Sequence, residues 1–260
     1  METGSVVGGR YRIGPGGAGE VRFGQDTGSG RPVAVKTPAR APGPAVRLRH
    51  PGIVTVLDVG EHEGRPFLAM ELLDGHTLDD HLLDGWFRPA EVADVGAQVA
   101  QALLVAHRAG MTHGGIEPAR LLLTPNGTVK VLGFGTAAPA PGSDLSALGD
   151  TLHELLGHPG PPGPPGELGA LVSQLRDAPS AQDPQRTEEF ALRLRRLAEE
   201  LAATEPAESG EPVERPRRPT AARPFRIHRR PERLPLARAL AVVIGAGLVA
   251  VTAYAIAVTL

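Results

Sequence analysis

Cysteine is missing from all 260 residues. Its absence excludes a disulfide framework and any thiolate zinc site, and it fits a reducing compartment. Aromatic residues make up 3% of the chain, too few to interleave with basic residues as a nucleic-acid surface would require. Of the 27 basic residues only Lys36 and Lys130 are lysines. The nine histidines show no spacing typical of a zinc site, so no metal centre is expected. What is abundant is glycine (33) and proline (26), beside many alanines and arginines. That skew reads as the imprint of a GC-rich genome and points to a bacterial source rather than to any chemistry. With 41% hydrophobic residues, the chain has enough apolar material for a core and for one or two ordinary domains.

A net charge of −2 conceals an asymmetry. Nine arginines and one acid, Glu232, lie between Arg215 and Arg238, so this segment carries about +8 and leaves about −10 on the remainder. The run has a single aromatic, Phe225, many prolines and no helical context, so no nucleic-acid partner is expected. The adjoining C-terminal segment explains the arginines better. Ala239 to Leu260 is a stretch without a charge, about 33 Å long as a helix, which matches the hydrocarbon thickness of a bilayer. It reads as one C-terminal transmembrane helix, with the arginines as its cytoplasmic flank. The expected location is therefore the cell membrane, single-pass, with the N-terminal part cytoplasmic and no external sensor domain. Ala246, Ala250, Ala253 and Ala257 share a face along which two such helices can approach, so a homodimer is one expectation. Residues 204–238, rich in Pro, Glu and Arg, read as a disordered linker.

The front of the chain shows short strand-like runs broken by Gly and Pro: Tyr11 to Ile13, Glu20 to Gln25, Val33 to Thr37, Ile53 to His62 and Arg65 to Glu71. From Pro89 the period becomes helical, with Val92, Val95, Val99, Leu103 and Ala106 on one face. Thr187 to Ala203 predicts a closing amphipathic helix with Phe190, Leu194, Leu197 and Leu201 on its stripe and Glu188 and Glu189 in its first turn. Gly157 to Gly169 repeats glycine every third residue but is too short for a collagen helix, and it reads as a polyproline-like loop. The fold class expected is α+β: a small β-rich lobe (8–73) before a mostly helical one (74–203).

Several landmarks then fall in a telling order. GPGGAGEV, Gly14 to Val21, fits G-x-G-x-x-G-x-V between two strand candidates, and Val33-Ala34-Val35-Lys36 places one of the two lysines at the end of a strand. After these come HPGIVTVLDVGEHEGRPFLAMELLDGHTL, HGGIEPARLLL, TVKVLGFG and SDLSALGDTLHELL. Together they resemble a bacterial serine/threonine protein kinase domain over residues 8–203, in reduced form. The resemblance implies a two-lobed kinase-like fold and an ATP site. Gly14, Gly16 and Gly19 would approach the phosphates and Lys36 would hold two of them. Val21, Ala34 and Leu122 would sandwich the adenine, and the backbone of Glu71 and Leu73 would meet its edge beside Met70. Asp144 would hold the loop around His113.

The departures lie where that family does its chemistry. Gly115 stands at the catalytic aspartate, Arg120 at the metal-binding asparagine, Gly133 at the metal-binding aspartate, and Glu117 at a lysine that faces the γ-phosphate. General-base assistance alone is worth about 10²- to 10⁴-fold. Reversing one charge at 4 Å changes an interaction of about 4 kcal/mol, which Arg120 could offset by acting as counter-charge in place of magnesium. No acidic residue lies between Lys36 and Asp58 and His50 comes soon after the lysine, so the helix carrying the lysine's glutamate partner is expected to be missing. TAAPAPGS replaces the activation segment. The expectation is a membrane-tethered pseudokinase, a nucleotide-binding or purely scaffolding regulator in phosphorylation signalling, with ATP as a possible ligand and magnesium doubtful. A weak serine/threonine kinase and a decayed remnant are the alternatives. Loss of the helix predicts an uncovered sheet face that meets a protein partner, such as an authentic kinase, near Val46, Leu48, Val54 and Val56.

Overall fold

The structure, a computed structural model, describes residues 1–39, 41–43, 47–135, 143–157, 166–179 and 183–204. All of these lie in one compact unit, Met1–Arg226; a second unit, Ile227–Leu260, is outside the described residues. Thr204, expected to open the linker, is helical, and the rest of the expected linker to residue 238 and the expected membrane helix at 239–260 are outside the described residues too. Among the described residues no helix is long and apolar enough to cross a membrane.

Six strands form an antiparallel sheet in the order β1-β2-β3-β4-β6-β5. They are β1 Val6–Val7, β2 Tyr11–Ala18, β3 Val21–Asp26, β4 Pro32–Lys36, β5 Val56–His62 and β6 Arg65–Glu71. Alternation sorts their side chains onto two faces. Val7, Tyr11, Ile13, Val33, Val35, Phe67 and Ala69 make one small core, while Val56 and Leu68 with Met70 pack on the other face. The Phe67 ring fits only because its neighbours are small. A Cβ on Gly8 would meet it at 2.5 Å and one on Gly60 at 2.7 Å.

The second lobe carries a three-stranded sheet, β7 His76–Thr77, β8 Leu121–Leu123 and β9 Val129–Val131, in the order β7-β8-β9. Its helices are α1 Leu78–Asp84, α2 Pro89–Arg108, α3 Asp144–Gly157, α4 Glu167–Arg176 and α5 Pro184–Thr204. Thr77 caps α1 by accepting from the Asp80 N–H while Asp80 accepts in return from the Thr77 N–H. Pro89 opens α2, where its missing N–H costs nothing. The stripe Val92, Val95, Val99, Leu103 and Ala106 is buried in the main core, with Leu148 and Leu152 of α3 and Phe190 and Leu194 of α5.

Several boundaries differ from the sequence reading, each for a local reason. The sheet starts at Val6, before the expected domain start, because Val7 is fully buried beneath β2. The strand expected to stop at Ile13 runs through the glycines to Ala18, since β3 pairs with both halves across an irregularity between Ile13 and Gly17. The strand expected from Ile53 starts at Val56, and Ile53 instead bridges Val131 of β9. Helix α5 begins at Pro184, so Glu188 and Glu189 lie beyond its first turn. Helix α1 has no counterpart in the sequence reading, and α4 takes over the end of the stretch read as a polyproline-like loop. No α-helix stands between β4 and β5 among the described residues.

The apolar surface expected to lie bare near Leu48, Val54 and Val56 is not bare. Leu48, Val54 and Val56 are each 8% exposed, and Leu48 belongs to the core of the helical lobe. The chain itself covers them; Val46 lies outside the described residues.

Helices α3 and α4 approach so closely at Gly149 that a Cβ there would sit 2.6 Å from the Arg176 backbone N and 2.9 Å from the Leu175 carbonyl carbon. Backbone cannot swing aside as a side-chain tip can. Gly149→Val is expected to destabilise the domain by about 1–3 kcal/mol, read from denaturant midpoints against wild type.

Candidate functional site

A buried carboxylate organises the loop that begins at His113. Asp144 opens α3 and is 4% exposed. Its Oδ2 accepts the His113 N–H at 2.8 Å and its Oδ1 the Gly114 N–H at 2.8 Å. Nε2 of His107, near the end of α2, lies 2.9 Å from Oδ2. A carboxylate only accepts, so the imidazole donates there. On the other side of the ring, Nδ1 is 2.9 Å from Oγ1 of Thr187 in α5. Burial works to raise the Asp144 pKa, but the His107 and backbone N–H groups outweigh it and hold the carboxyl below the usual range. Three helices are thereby fastened to one loop.

The His113 ring is buried too. Its Nε2 lies 2.9 Å from the Leu132 carbonyl and so donates, and Phe134 meets the ring edge-on at 4.7 Å between centroids. Nδ1 has no partner. Burial depresses this histidine's pKa, against the opposing pull of the Leu132 carbonyl and Asp144. The neutral ring therefore joins the loop to the Gly133–Gly135 turn.

Gly115, Glu117 and Arg120 come together in the same loop. Arg120 Nε lies 2.7 Å from Glu117 Oε1, across a short 3₁₀ turn at Pro118–Arg120. The guanidinium lies over Gly115, where a Cβ would be 2.7 Å from Nη1 and 3.4 Å from Cζ. The sequence reading has Arg120 serving as counter-charge in place of a metal. In the structure that charge lies beside the Glu117 carboxylate, whose charge the same reading has it offset. Gly133 has φ 98°, a conformation that glycine enters freely.

The glycine-rich segment forms the hairpin between β2 and β3. Gly14 lies within β2, Gly16 takes φ 91° and Gly19 takes φ 58° in the turn. Val21 pairs with Lys36 and Ala34 with Met70 in the strand register, while Leu122 of β8 is buried. Lys36 Nζ is 3.7 Å from Glu20 Oε2 of the same hairpin, so the lysine without a helix-borne partner meets a carboxylate of the glycine turn. Glu71 ends β6 with its N–H given to the Thr55 carbonyl at 3.0 Å. Leu73 is half-buried on the connection to β7.

Magnesium does not fit the residues that resemblance assigns to it. Gly115 and Gly133 offer no side-chain oxygen, and Arg120 is a cation. Among the described residues no three potential ligands converge as a metal centre would need.

Two lobes, a glycine hairpin facing a strand lysine, and a histidine loop held by a buried aspartate define a protein-kinase-like domain. Comparison places it further. Residues 44–151 match the protein kinase domain family. The chain is 41% identical over 160 residues to the probable serine/threonine-protein kinase SCO3848 of Streptomyces coelicolor, covering 53% of this chain and 24% of that one. It is 35% identical over 160 residues to the serine/threonine-protein kinase PknB of Mycolicibacterium smegmatis, covering 53% and 26%. The kinase domain of Mycobacterium tuberculosis PknI superposes with a TM-score of 0.62 at 25% identity, over 76% of this chain and 99% of that domain. In sequence and in fold the chain is thus similar to bacterial serine/threonine protein kinases. It spans about a quarter of the length of the two curated relatives.

Sequence reasoning does not single out Glu20, His107, Thr187 or Lys130. For Lys130 a signal exists, since lysine is as rare there as at Lys36. For the others there is none, because each acts through a partner distant in the chain or on another strand.

Asp144→Ala is expected to cost about 3–5 kcal/mol, leaving two loop N–H groups and His107 without their acceptor. The pH dependence has a definite sign. The folded state disfavours protonated His113, so its contribution is complete above the unfolded value of about 6.5 and declines as pH falls towards the depressed folded value. His50, lowered by burial and by nearby Lys130, acts the same way. Asp144 does so at lower pH, where its contribution goes as pH falls below about 3.9 and through the depressed folded value. The melting temperature is expected to drop between pH 7 and pH 5, with a shallower slope in His113→Gln.

Proposed function

We propose that this protein is a pseudokinase: a kinase-family domain held at the membrane that acts as a nucleotide-binding or purely scaffolding regulator of phosphorylation signalling. The carrying observation is the Gly115–Arg120 contact. Where the family resemblance places a carboxylate near the substrate hydroxyl, this chain has no side chain, and a guanidinium paired with Glu117 fills the space. Phosphoryl transfer depends on positioning and on metal ions that neutralise the phosphates. Gly133 and Arg120 withdraw the metal ligands, and Gly115 withdraws the base.

Binding capacity is less reduced than chemistry. The glycine hairpin keeps its backbone freedom, and Lys36 keeps three ammonium donors held by Glu20 only at 3.7 Å. A phosphate oxygen can replace Glu20 at little cost, because an exposed ion pair of this kind is worth about 0–1 kcal/mol. ATP would then be held by Lys36 and the hairpin without magnesium. The uncharged stretch at 239–260 with its arginine flank supports tethering with the domain on the cytoplasmic side. A protein partner, an authentic kinase among the candidates, would read the domain's surface, and pairing of two membrane helices would make the homodimer.

The purified protein is expected to transfer no radiolabelled γ-phosphate to itself or to a generic protein substrate. Calorimetric titration with ATP is expected to give the same affinity in magnesium and in chelator, with Lys36→Ala abolishing any binding seen. Turnover by the wild type that disappears in Lys36→Ala would overturn the reading in favour of a weak kinase.

A further inference from the structure

Glu71 and Lys130 sit outside the phosphate chemistry, yet among the described residues they form one of the least exposed ion pairs, with side chains 30% and 15% exposed. Lys130 Nζ of β9 donates to Glu71 Oε1 of β6 at 2.8 Å. The same oxygen accepts the Thr55 N–H at 2.8 Å, and the Glu71 N–H donates to the Thr55 carbonyl at 3.0 Å. One carboxylate oxygen thus joins the six-stranded lobe, the helical lobe, and the segment running from β4 to β5. Burial works to raise its pKa, while Lys130 and Thr55 outweigh burial and keep it ionised.

That segment is fastened to the helical lobe at several described points. Near its start, the Gly43 N–H donates to the Gly135 carbonyl at 3.0 Å. Leu48 and Ile53 insert into the helical lobe's core although they belong to the link between two small-lobe strands. The Val131 N–H donates to the Gly52 carbonyl at 2.8 Å and the Val54 N–H to the Val131 carbonyl at 3.1 Å, so residues 52–54 extend the small sheet beyond β9. His50 Nδ1 accepts the Gly52 N–H at 3.1 Å and fixes the turn.

We propose that residues 47–55 form a strap that, closed by the Glu71–Lys130 pair, locks the two lobes in one relative position without any ligand. A domain whose lobes rock needs a seam with few fixed points. Here buried side chains, hydrogen bonds and an ion pair succeed one another from Leu48 to Thr55. The inference does not depend on nucleotide binding. It describes a rigid surface, with both lobes presented in constant geometry.

The chain has no cysteine, so a labelled pair can be introduced cleanly as Glu61→Cys on β5 and Leu192→Cys on α5, both at exposed positions. In the full-length protein, spin-label distance measurement is expected to give one narrow population. Adding Lys130→Gln or Glu71→Gln is expected to produce a second, longer population and to speed amide exchange at Val54 and Val131 by about tenfold. Glu71→Gln keeps an acceptor for the Thr55 N–H, so it carries the test if Lys130→Gln fails to fold by circular dichroism. Two populations in the wild-type background, or a folded variant as narrow as wild type with unchanged exchange, would overturn the proposal.

Discussion

Everything in the loop around His113 depends on one desolvated carboxylate. Asp144 takes two backbone N–H groups and an imidazole N–H, enough donors to offset the cost of its burial. Because those donors come from the loop and from α2, and Thr187 of α5 backs the imidazole, the loop's shape is set by helices rather than by its own residues. That explains how Gly114 and Gly115 are tolerated in a segment that needs a fixed course. A glycine pair alone would wander; a glycine pair held by an aspartate does not.

Architecture and chemistry separate cleanly in this molecule. The retained groups, Asp144, His113, Phe134 and the core stripe of α2, are those that pack or anchor. Of the positions that depart from the kinase pattern, Gly115, Glu117 and Arg120 come together in the loop after His113 and Gly133 lies in the turn that His113 contacts through Leu132 and Phe134. Their charges do not stay free: Glu117 pairs with Arg120, Glu20 faces Lys36, and Glu71 holds Lys130. Each of these three cations has an acid of the chain within 4 Å, although Nη1 of Arg120 is buried without a hydrogen-bond partner.

How much the sequence reveals depends on the range of each interaction. The stripe of α2 and strand β6 are legible because period and register are local properties. The order of motifs gives the two lobes. Helix α1 escapes a sequence reading because seven residues offer too short a period, and α4 because the preceding Gly and Pro repeat masks its start. The exposure expected near Leu48 and Val54 differs from the structure for another reason. Loss of a helix suggests bare apolar surface, whereas the shortened link sinks Leu48 and Ile53 into the other lobe. Likewise the loop position of Arg120 is legible, but its pairing with Glu117 depends on a 3₁₀ turn that spacing alone does not reveal.

The guanidinium lying over Gly115 also governs what that position can accept. An aspartate introduced there would bring its carboxylate beside the Arg120 cation, which would hold the new acid ionised and lower its basicity. Positions 115 and 120 are therefore coupled, and the effect of a substitution at one depends on the residue at the other.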